Sequence, residues 1–205
     1  LVVQLPQLWY WKAVTGSWLI NAYFANGEVF FWGQPRFAEI LIGYRKGWLI
    51  YTPIAVLGLW GLRYLYRQQQ SWFLAIVGYL LLQLYLVAAW GCWWYGGSFG
   101  LRPMVESMAI LSLPLAYWWD NQTGRWRRWA GGAVFVFLVV LNQFQSHQYQ
   151  YRLIHWEGMT RAAYWHAFGK IPPVSADFRQ KQDALLLIPD YLSESRRAKN
   201  VSTIW

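Results

Sequence analysis

Charged residues are scarce in this 205-residue chain. They make up 13% of the sequence, about half of the roughly 25% that is typical of soluble domains. So few charges cannot coat a water-facing surface, and the apolar residues come in long uncharged blocks rather than at amphipathic spacing. The composition therefore argues against a soluble domain and predicts an integral membrane protein.

Residues that form disulfides or bind metals are also rare. The single cysteine, Cys92, excludes an internal disulfide, and its apolar surroundings predict a small packing residue. The histidines stand at none of the i,i+3 or i,i+4 spacings that helical metal sites use. The chain also has no phosphate-binding glycine–lysine loop and no nucleophile elbow. The sequence thus identifies no cofactor and no metal site, and it leaves open whether a divalent metal is needed.

Aromatic rings, in contrast, are abundant, with 17 Trp and 14 Tyr. Such amphipathic rings gather where the hydrocarbon of a membrane meets the headgroups. The formal net charge is +9, but the arginines do not form one stripe or tail. Several sit in short links between apolar blocks, which argues against a nucleic-acid partner and is typical of residues that set membrane topology.

Four apolar blocks predict membrane spans, because about 20 residues are needed to cross a bilayer. The second block has no charge, and we expect it to form one continuous helix. Residues 1–8 are a candidate for the end of an earlier span, so we predict an all-α, polytopic protein with four to five spans. The four blocks are residues 48–66, 72–94, 104–119 and 129–144.

The basic links predict the orientation of these spans. Link 63–71 carries two arginines and link 120–128 carries three, whereas link 95–103 carries Arg102 alone. The positive-inside rule therefore places the first two links in the cytoplasm and the third outside. Segment 9–47 then also lies outside, although its Arg45 and Lys46 count against this orientation.

The two long external parts have different compositions. Residues 37–44 are apolar but too short to cross, so we expect an amphipathic helix lying at the membrane surface. The C-terminal tail, residues 147–205, has ordinary water-facing chemistry. A helix is predicted over 156–168, with Met159, Ala163 and Tyr164 near one face. Because Leu1 opens inside an apolar stretch with no signal peptide, we expect the chain to be a fragment.

Link 91–103 is the first candidate site, since it places four glycines among four aromatic residues, including Tyr95. Backbone N–H groups in a glycine-rich turn can cradle an anion. Arg102 would add a fixed cation, and Glu106 follows one helical turn later. An equally weighted alternative is a tight corner, with the rings as interface anchors and Arg102–Glu106 as an i,i+4 pair.

The second candidate site is the basic pair Arg45 and Lys46 at the mouth of a predicted span. Snorkelling to lipid headgroups is the favoured role, because basic residues are common at span ends. The functional alternative is a grip on the phosphate of a lipid-linked substrate, for which Arg offers a fork and Lys a point charge.

Four blocks in order along the chain carry a family resemblance. They read PQLWYWK at residues 6–12, YRKGWLIYTP at 44–53, WYGGSFG at 94–100 and HWEGMT at 155–160. Together they resemble the C-terminal half of bacterial multi-pass glycosyltransferases of the GT-C class. These are relatives of protein mannosyltransferases and of the lipopolysaccharide-core and aminoarabinose transferases. The resemblance spans most of the chain, and its blocks mark a subfamily rather than one substrate.

The resemblance implies a transferase of the bacterial inner membrane. Such an enzyme takes a sugar from a polyprenyl-phosphate carrier on the external, periplasmic face and passes it to a lipid, glycan or protein acceptor. The catalytic acidic residue of the family lies in the first external loop, and no position here matches that motif. Under this interpretation the candidate walls of the donor or acceptor pocket, chosen by charge and depth, are Arg45, Lys46, Tyr95, Arg102 and Glu106.

A rival hypothesis comes from another class of protein. The chain could be a non-catalytic membrane subunit that anchors a periplasmic assembly through its tail, in contact with other membrane subunits. A transporter is a weaker third hypothesis, because the spans lack the paired broken helices and buried charges that transporters use.

Overall fold

The computed structural model describes residues 2–19 and 29–188. Within those residues the α-helices pack together without a sheet, and one isolated antiparallel bridge joins Phe30 to Trp90. Two short 3₁₀-helices, Val2–Gln4 and Arg102–Met104, accompany them. The all-α prediction is confirmed for this part of the chain. The α-helices are α1 (Leu5–Thr15), α2 (Phe37–Ile42), α3 (Trp48–Tyr51), α4 (Ala55–Gln68), α5 (Gln70–Ala89), α6 (Ser107–Asp120), α7 (Arg125–Gln150), α8 (Arg161–Ala167) and α9 (Ala176–Ala184).

Local sequence explains several helix ends. The Thr160 hydroxyl accepts a hydrogen bond from the Ala163 amide at 3.1 Å and caps α8. The Ser175 hydroxyl caps α9 by accepting from the Phe178 amide at 3.2 Å. Helix α1 ends at Thr15, and the next residue, Gly16, has a φ of 77°, the left-handed conformation that glycine adopts at low cost. These ends follow from residue type alone.

In the part of the chain that the structure describes, two helices are long and apolar enough to cross a membrane. Helix α5 has 20 residues and α7 has 26. Only 28% of the most apolar stretch of α5 and 11% of that of α7 are buried. A core helix of a soluble protein would bury most of its apolar surface, so these two outward-facing helices support membrane association.

Two other predicted spans form shorter helices. Region 48–66 breaks after α3 because Pro53 lacks an N–H group and disfavours helical backbone before it. Helices α4 and α6 have 14 residues each. At about 1.5 Å per residue each is roughly 21 Å long, less than the hydrocarbon thickness of about 30 Å. By itself, neither helix is long enough to cross.

The prediction of a continuous helix over residues 72–94 is wrong at its C-terminal end. Helix α5 ends at Ala89, and Trp90 is extended with a ψ of 132°. The Phe31 amide donates to the Ala89 carbonyl at 2.6 Å, and the Gly91 amide donates to the Val29 carbonyl at 2.9 Å. Pairing with residues 29–31 thus replaces the next helical turn.

Other predicted boundaries also move. Helix α7 begins four residues before position 129 and continues to Gln150, so the tail predicted from residue 147 starts inside a helix. The predicted interfacial helix over 37–44 corresponds to α2, whose Glu39 and Ile40 are buried against the protein. Residues 1–8, suggested as the end of an earlier span, include part of α1, and α1 has no buried residue. Leu1 and residues 20–28 and 189–205 lie outside the described residues.

Helices α4 and α6 make the most extensive helix contact of the described residues. Two glycines on α4 allow it, because small residues let helix backbones approach closely. A Cβ atom on Gly61 would lie 1.9 Å from the Pro114 carbonyl oxygen, and one on Gly58 would lie 3.1 Å from the Leu111 Cβ. The two backbones are therefore in direct contact at Gly61.

The tail packs as a second apolar cluster. Met159, Ala163 and Tyr164, which were expected on one face, are buried together with Tyr51 and Ile154. The helix itself is shorter than predicted, since α8 covers Arg161–Ala167 rather than 156–168. Contact with Tyr51 attaches the tail to α3.

We expect Gly61→Ala to destabilise the protein by about 1–3 kcal/mol, because the added methyl group collides with the α6 backbone. Thermal unfolding of the purified protein in detergent measures the change.

The matched control is Gly78→Ala in α5, where nothing lies within 4 Å of the added atom. This change should be neutral or stabilise by up to about 1 kcal/mol, because alanine favours helix. Equal effects of the two substitutions would contradict the close α4–α6 contact.

Candidate functional site

Lys46 lies at the centre of a junction between three distant segments. Its side chain is 1% exposed. The Nζ atom donates to the Ser98 carbonyl at 2.5 Å, to the Ser98 hydroxyl at 3.1 Å and to the Trp156 carbonyl. Ser98 and Trp156 are 52 and 110 residues further along the chain. The lysine therefore ties the glycine-rich turn and the tail to the segment before α3.

Arg45 is also turned inward and is 2% exposed. The centre of its guanidinium lies 5.6 Å from the Trp93 ring and 5.5 Å from the Trp94 ring, within cation–π range. One guanidinium nitrogen donates to the Leu187 carbonyl at 3.3 Å. Neither basic residue reaches the surface, so neither can snorkel to headgroups in this structure.

Burial lowers the pKa of Lys46 from 10.5 to about 7. The negative charge of Glu157 acts in the opposite sense, and the positive charges of Arg102 and Arg45 reinforce the shift. Three acceptor oxygens match the three N–H donors of an ammonium group, whereas a neutral amine has only two. The three hydrogen bonds therefore favour the charged form of Lys46, whereas loss of water around the buried side chain disfavours it.

The other three predicted site residues lie nearer the surface. Tyr95 is half-buried with a φ of 52°, and burial raises its pKa to about 12, so its hydroxyl stays neutral. Arg102, on the second 3₁₀-helix, and Glu106, just before α6, are both exposed. The five candidates therefore divide into a buried pair, one half-buried residue and two exposed residues.

The glycine-rich turn depends on glycine at one close approach. Gly100 has a φ of 57°, and a Cβ atom there would lie 2.9 Å from the Tyr51 Cβ. The turn presents the Ser98 oxygens inward to Lys46. The glycine spacing suggested that backbone N–H groups of this turn would bind an anion. In the structure its oxygens instead accept hydrogen bonds from the Lys46 ammonium group.

A cavity of about 340 Å³ lies beside this junction, in the tail. That volume is at the lower end of the range for small-molecule sites, about 300–1,000 Å³. Leu153 and Gln182 are buried at the base, while three charged residues are exposed. The side chains that matter for its chemistry are Arg152, Arg179, Asp183, His155, Trp156 and Phe178.

His155 offers a defined donor to this cavity. Its Nδ1 atom accepts from the Gly158 amide at 2.9 Å and from the Glu157 amide at 3.2 Å. Burial lowers its pKa, so the neutral form dominates at pH 7. Since Nδ1 is an acceptor, the proton of the neutral ring is on Nε2. The ring also stacks on Trp156, with ring centres 4.0 Å apart.

Buried glutamines hold the tail in place around the cavity. Gln148 at the end of α7 donates to the Ala167 carbonyl at 2.7 Å and to the Lys170 carbonyl at 2.9 Å. Gln182 on α9 donates to the Leu153 carbonyl at 2.8 Å. Arg152, between them, has a φ of 60°, a conformation that costs a non-glycine residue free energy and is enriched at functional sites.

The cavity combines an indole, two guanidinium groups, a carboxylate and an imidazole. Guanidinium groups bind carboxylates and phosphates through paired hydrogen bonds, and an aromatic ring supplies an apolar face for a ligand. This chemistry suits a small, polar ligand that carries a negative charge. Among the residues that the structure describes, no three potential metal ligands come together.

Comparison with protein-family models, with curated proteins and with solved structures finds no match to this chain.

Sequence reasoning missed most of the cavity. Arg179 and Asp183 carry no pattern that separates them from ordinary surface charges, and residues 155–157 were predicted as part of the resemblance block 155–160 but not as part of a cavity. A usable signal was the polar spacing Gln145–Gln148 at the end of an apolar helix. Buried amides need partners, so their presence indicates that a further segment packs there.

The wild-type free energy of unfolding should rise between pH 7 and about 10, relative to Lys46→Gln. The folded-state pKa of Lys46 is about 7 against 10.5 normally, so the unfolded chain binds more protons in this window. Burying the charged form costs free energy below pH 7, and this cost is relieved as the pH rises. The slope attributable to one group is at most about 1.4 kcal/mol per pH unit.

Thermal or denaturant unfolding of both proteins over this pH series measures the difference. Glutamine does not titrate and keeps an N–H donor, and all other titrating groups are common to both proteins. Parallel curves would show that the pKa of Lys46 is not lowered in the folded state.

Proposed function

We propose that this chain is part of an integral membrane glycosyltransferase. The enzyme moves a sugar from a polyprenyl-phosphate donor to a lipid, glycan or protein acceptor on the external face of the bacterial inner membrane. In this proposal the catalytic carboxylate comes from outside the chain, and the chain supplies cationic and aromatic walls of the substrate pocket.

The observation that carries the proposal is the meeting of three resemblance blocks at Lys46. Lys46 belongs to block 44–53, and its hydrogen-bond acceptors belong to blocks 94–100 and 155–160. Tyr51 from block 44–53 and Phe99 from block 94–100 also contact each other, with ring centres 5.5 Å apart. Segments that resemble the family at separate places thus form one physical unit, which is what a shared site requires.

The cavity adjoins this unit. Trp156 lines the cavity, and its ring would lie 3.3 Å from a Cβ atom on Gly97 in the turn. The charge of Arg102 acts on Lys46, so Arg102 is also near the junction. A sugar in the cavity and a lipid phosphate near Arg102 would therefore be neighbours, as transfer between lipid carrier and acceptor requires.

The membrane arrangement is part of the same proposal. We place α4, with α3 before it, and α6 in the membrane beside α5 and α7, which makes four spans. The extensive α4–α6 contact supports this, and region 48–68 reaches the length of a span when both helices are counted. Arginine-rich links 63–71 and 120–128 then lie in the cytoplasm, and the tail lies in the periplasm.

Arg102→Gln should weaken binding of a short-chain polyprenyl phosphate by roughly 10- to 100-fold, since a charge-assisted hydrogen bond contributes about 1.5–3 kcal/mol. Titration of the lipid phosphate into the purified protein in nanodiscs, followed by tryptophan fluorescence, measures the affinity.

Arg67→Gln is the matched control, because Arg67 is also exposed but lies at the C-terminal end of α4, in the link predicted to be cytoplasmic. Equal affinity in the wild type and both variants would remove the donor-site proposal and favour the anchoring-subunit hypothesis.

Arg179→Gln should weaken binding of a soluble sugar phosphate to the cavity by about tenfold or more, because the exposed guanidinium is one of its two cationic groups. Isothermal titration with a hexose 1-phosphate tests this expectation. Arg161→Gln carries the same charge change on α8, away from the cavity lining, and should bind like the wild type. Unaltered binding in Arg179→Gln would show that the cavity is not the sugar site.

A further inference from the structure

An apolar groove of about 1240 Å³ runs along the first half of α7, beside the end of α6. Helix α7 contacts the α6 tryptophans here through Gly131 and Gly132, but its apolar side chains are largely exposed. Phe137 is 63% exposed and Val140 is 58% exposed. The apolar wall consists of Trp119, Trp129, Ala133, Val136, Phe137 and Val140.

One end of this groove is cationic. Arg125 and Arg128 line it, whereas the intervening Arg127 does not. The Arg128 Nε atom donates to the Gln122 carbonyl at 3.1 Å, which orients its guanidinium while leaving further N–H donors. The groove thus pairs a long apolar wall with two guanidinium groups at a single end.

Exposed tryptophans place this cationic end at the membrane–water boundary. Trp126 is 82% exposed and Trp129 is 68% exposed, within one turn of the two arginines. Tryptophan gathers at the level of the headgroups. Lipid phosphates occupy the same level, so Arg125 and Arg128 lie where a phosphate would be found.

The length of the apolar wall matches one leaflet. From Trp129 to Val140 the helix rises by about 16 Å, at about 1.5 Å per residue. Half of the hydrocarbon core is about 15 Å. A chain that starts at the arginines and follows the wall would therefore end near the middle of the bilayer.

A second, mainly apolar cavity of about 500 Å³ adjoins the first, and its lining also includes Asp120 and Ser112. The two cavities share Trp119, Gly132 and Val136 in their walls. Gly132 has no side chain to divide them. Two adjoining apolar cavities below one cationic end have the shape of a headgroup with two acyl chains.

We propose that this groove binds an anionic phospholipid, with its phosphate between Arg125 and Arg128 and its two acyl chains in the adjoining cavities. Charge complementarity favours a lipid over a transmembrane helix as the occupant. A lipid phosphate brings its negative charge to the level of the two arginines, whereas a helix would need an acidic side chain at that depth. The inference shares the membrane placement of α6 and α7 with the glycosyltransferase proposal but does not require sugar transfer.

Native mass spectrometry of the purified full chain tests the proposal. The protein is equilibrated with equal amounts of phosphatidylglycerol and phosphatidylcholine in mild detergent, and the retained lipid is counted. The wild type should retain phosphatidylglycerol preferentially. The double variant Arg125→Gln/Arg128→Gln should lose this preference by roughly tenfold or more, because each arginine near an anionic headgroup contributes to its attraction.

Two matched controls separate this site from general charge and apolar effects. Arg127→Gln removes a charge from the same turn but not from the groove lining, so it should retain the lipid. Ala133→Phe fills the groove and should reduce retention, whereas Ala130→Phe lies outside the lining and should not.

Three results would overturn the proposal. One is equal retention of the two lipids by the wild type. Another is an equal loss in Arg127→Gln and in the double variant. The third is unchanged retention of phosphatidylglycerol in Ala133→Phe, which would show that the lipid does not occupy the groove and that another protein segment covers it.

Discussion

The buried ammonium group of Lys46 needs hydrogen-bond acceptors, because an unpaired charge in the interior costs several kcal/mol. Ser98 and Trp156 supply them from two other parts of the chain. The glycine-rich turn and the tail must both be in place before the lysine is satisfied, so the three segments are coupled. Arg45 strengthens the coupling through its contacts with two tryptophans and with a carbonyl of the tail. The junction holds Trp156, which lines the cavity, and Ser98, which lies in the turn before Arg102.

Two kinds of helix packing give the protein a rigid part and an open part. Gly61 lets α4 contact the backbone of α6 directly, which leaves no space between these helices. Helix α7 is instead attached at its C-terminal half, where Gln145 donates to the Tyr164 hydroxyl at 2.7 Å and Asn142 donates to the Tyr51 carbonyl. Its N-terminal half rests on the α6 tryptophans and leaves apolar grooves on both sides. Polar side chains thus hold one end of α7, and its other end is available to lipid.

Composition and local signals were sufficient for the all-α class and for the presence of α5 and α7. They were less reliable for helix ends. Pro53 could have shown that residues 48–66 are not one helix, because the proline signal is local. The end of α5 at Ala89 had Gly91 as its one local signal, because residues 90–94 are otherwise as apolar as those before them. The structure ends the helix there because residues 29–31 compete for its hydrogen bonds.

The amino-acid sequence determined the scarcity of charge, the apolar blocks, the caps at Thr160 and Ser175, and the position of the basic pair before α3. These properties depend on residues close together in the chain. Only the tertiary structure decided that Arg45 and Lys46 point inward, that Arg179 and Trp156 share a cavity, and that Arg125 and Arg128 line a groove while Arg127 does not. A side chain's direction depends on which distant segment offers it a partner, and no local pattern contains that information.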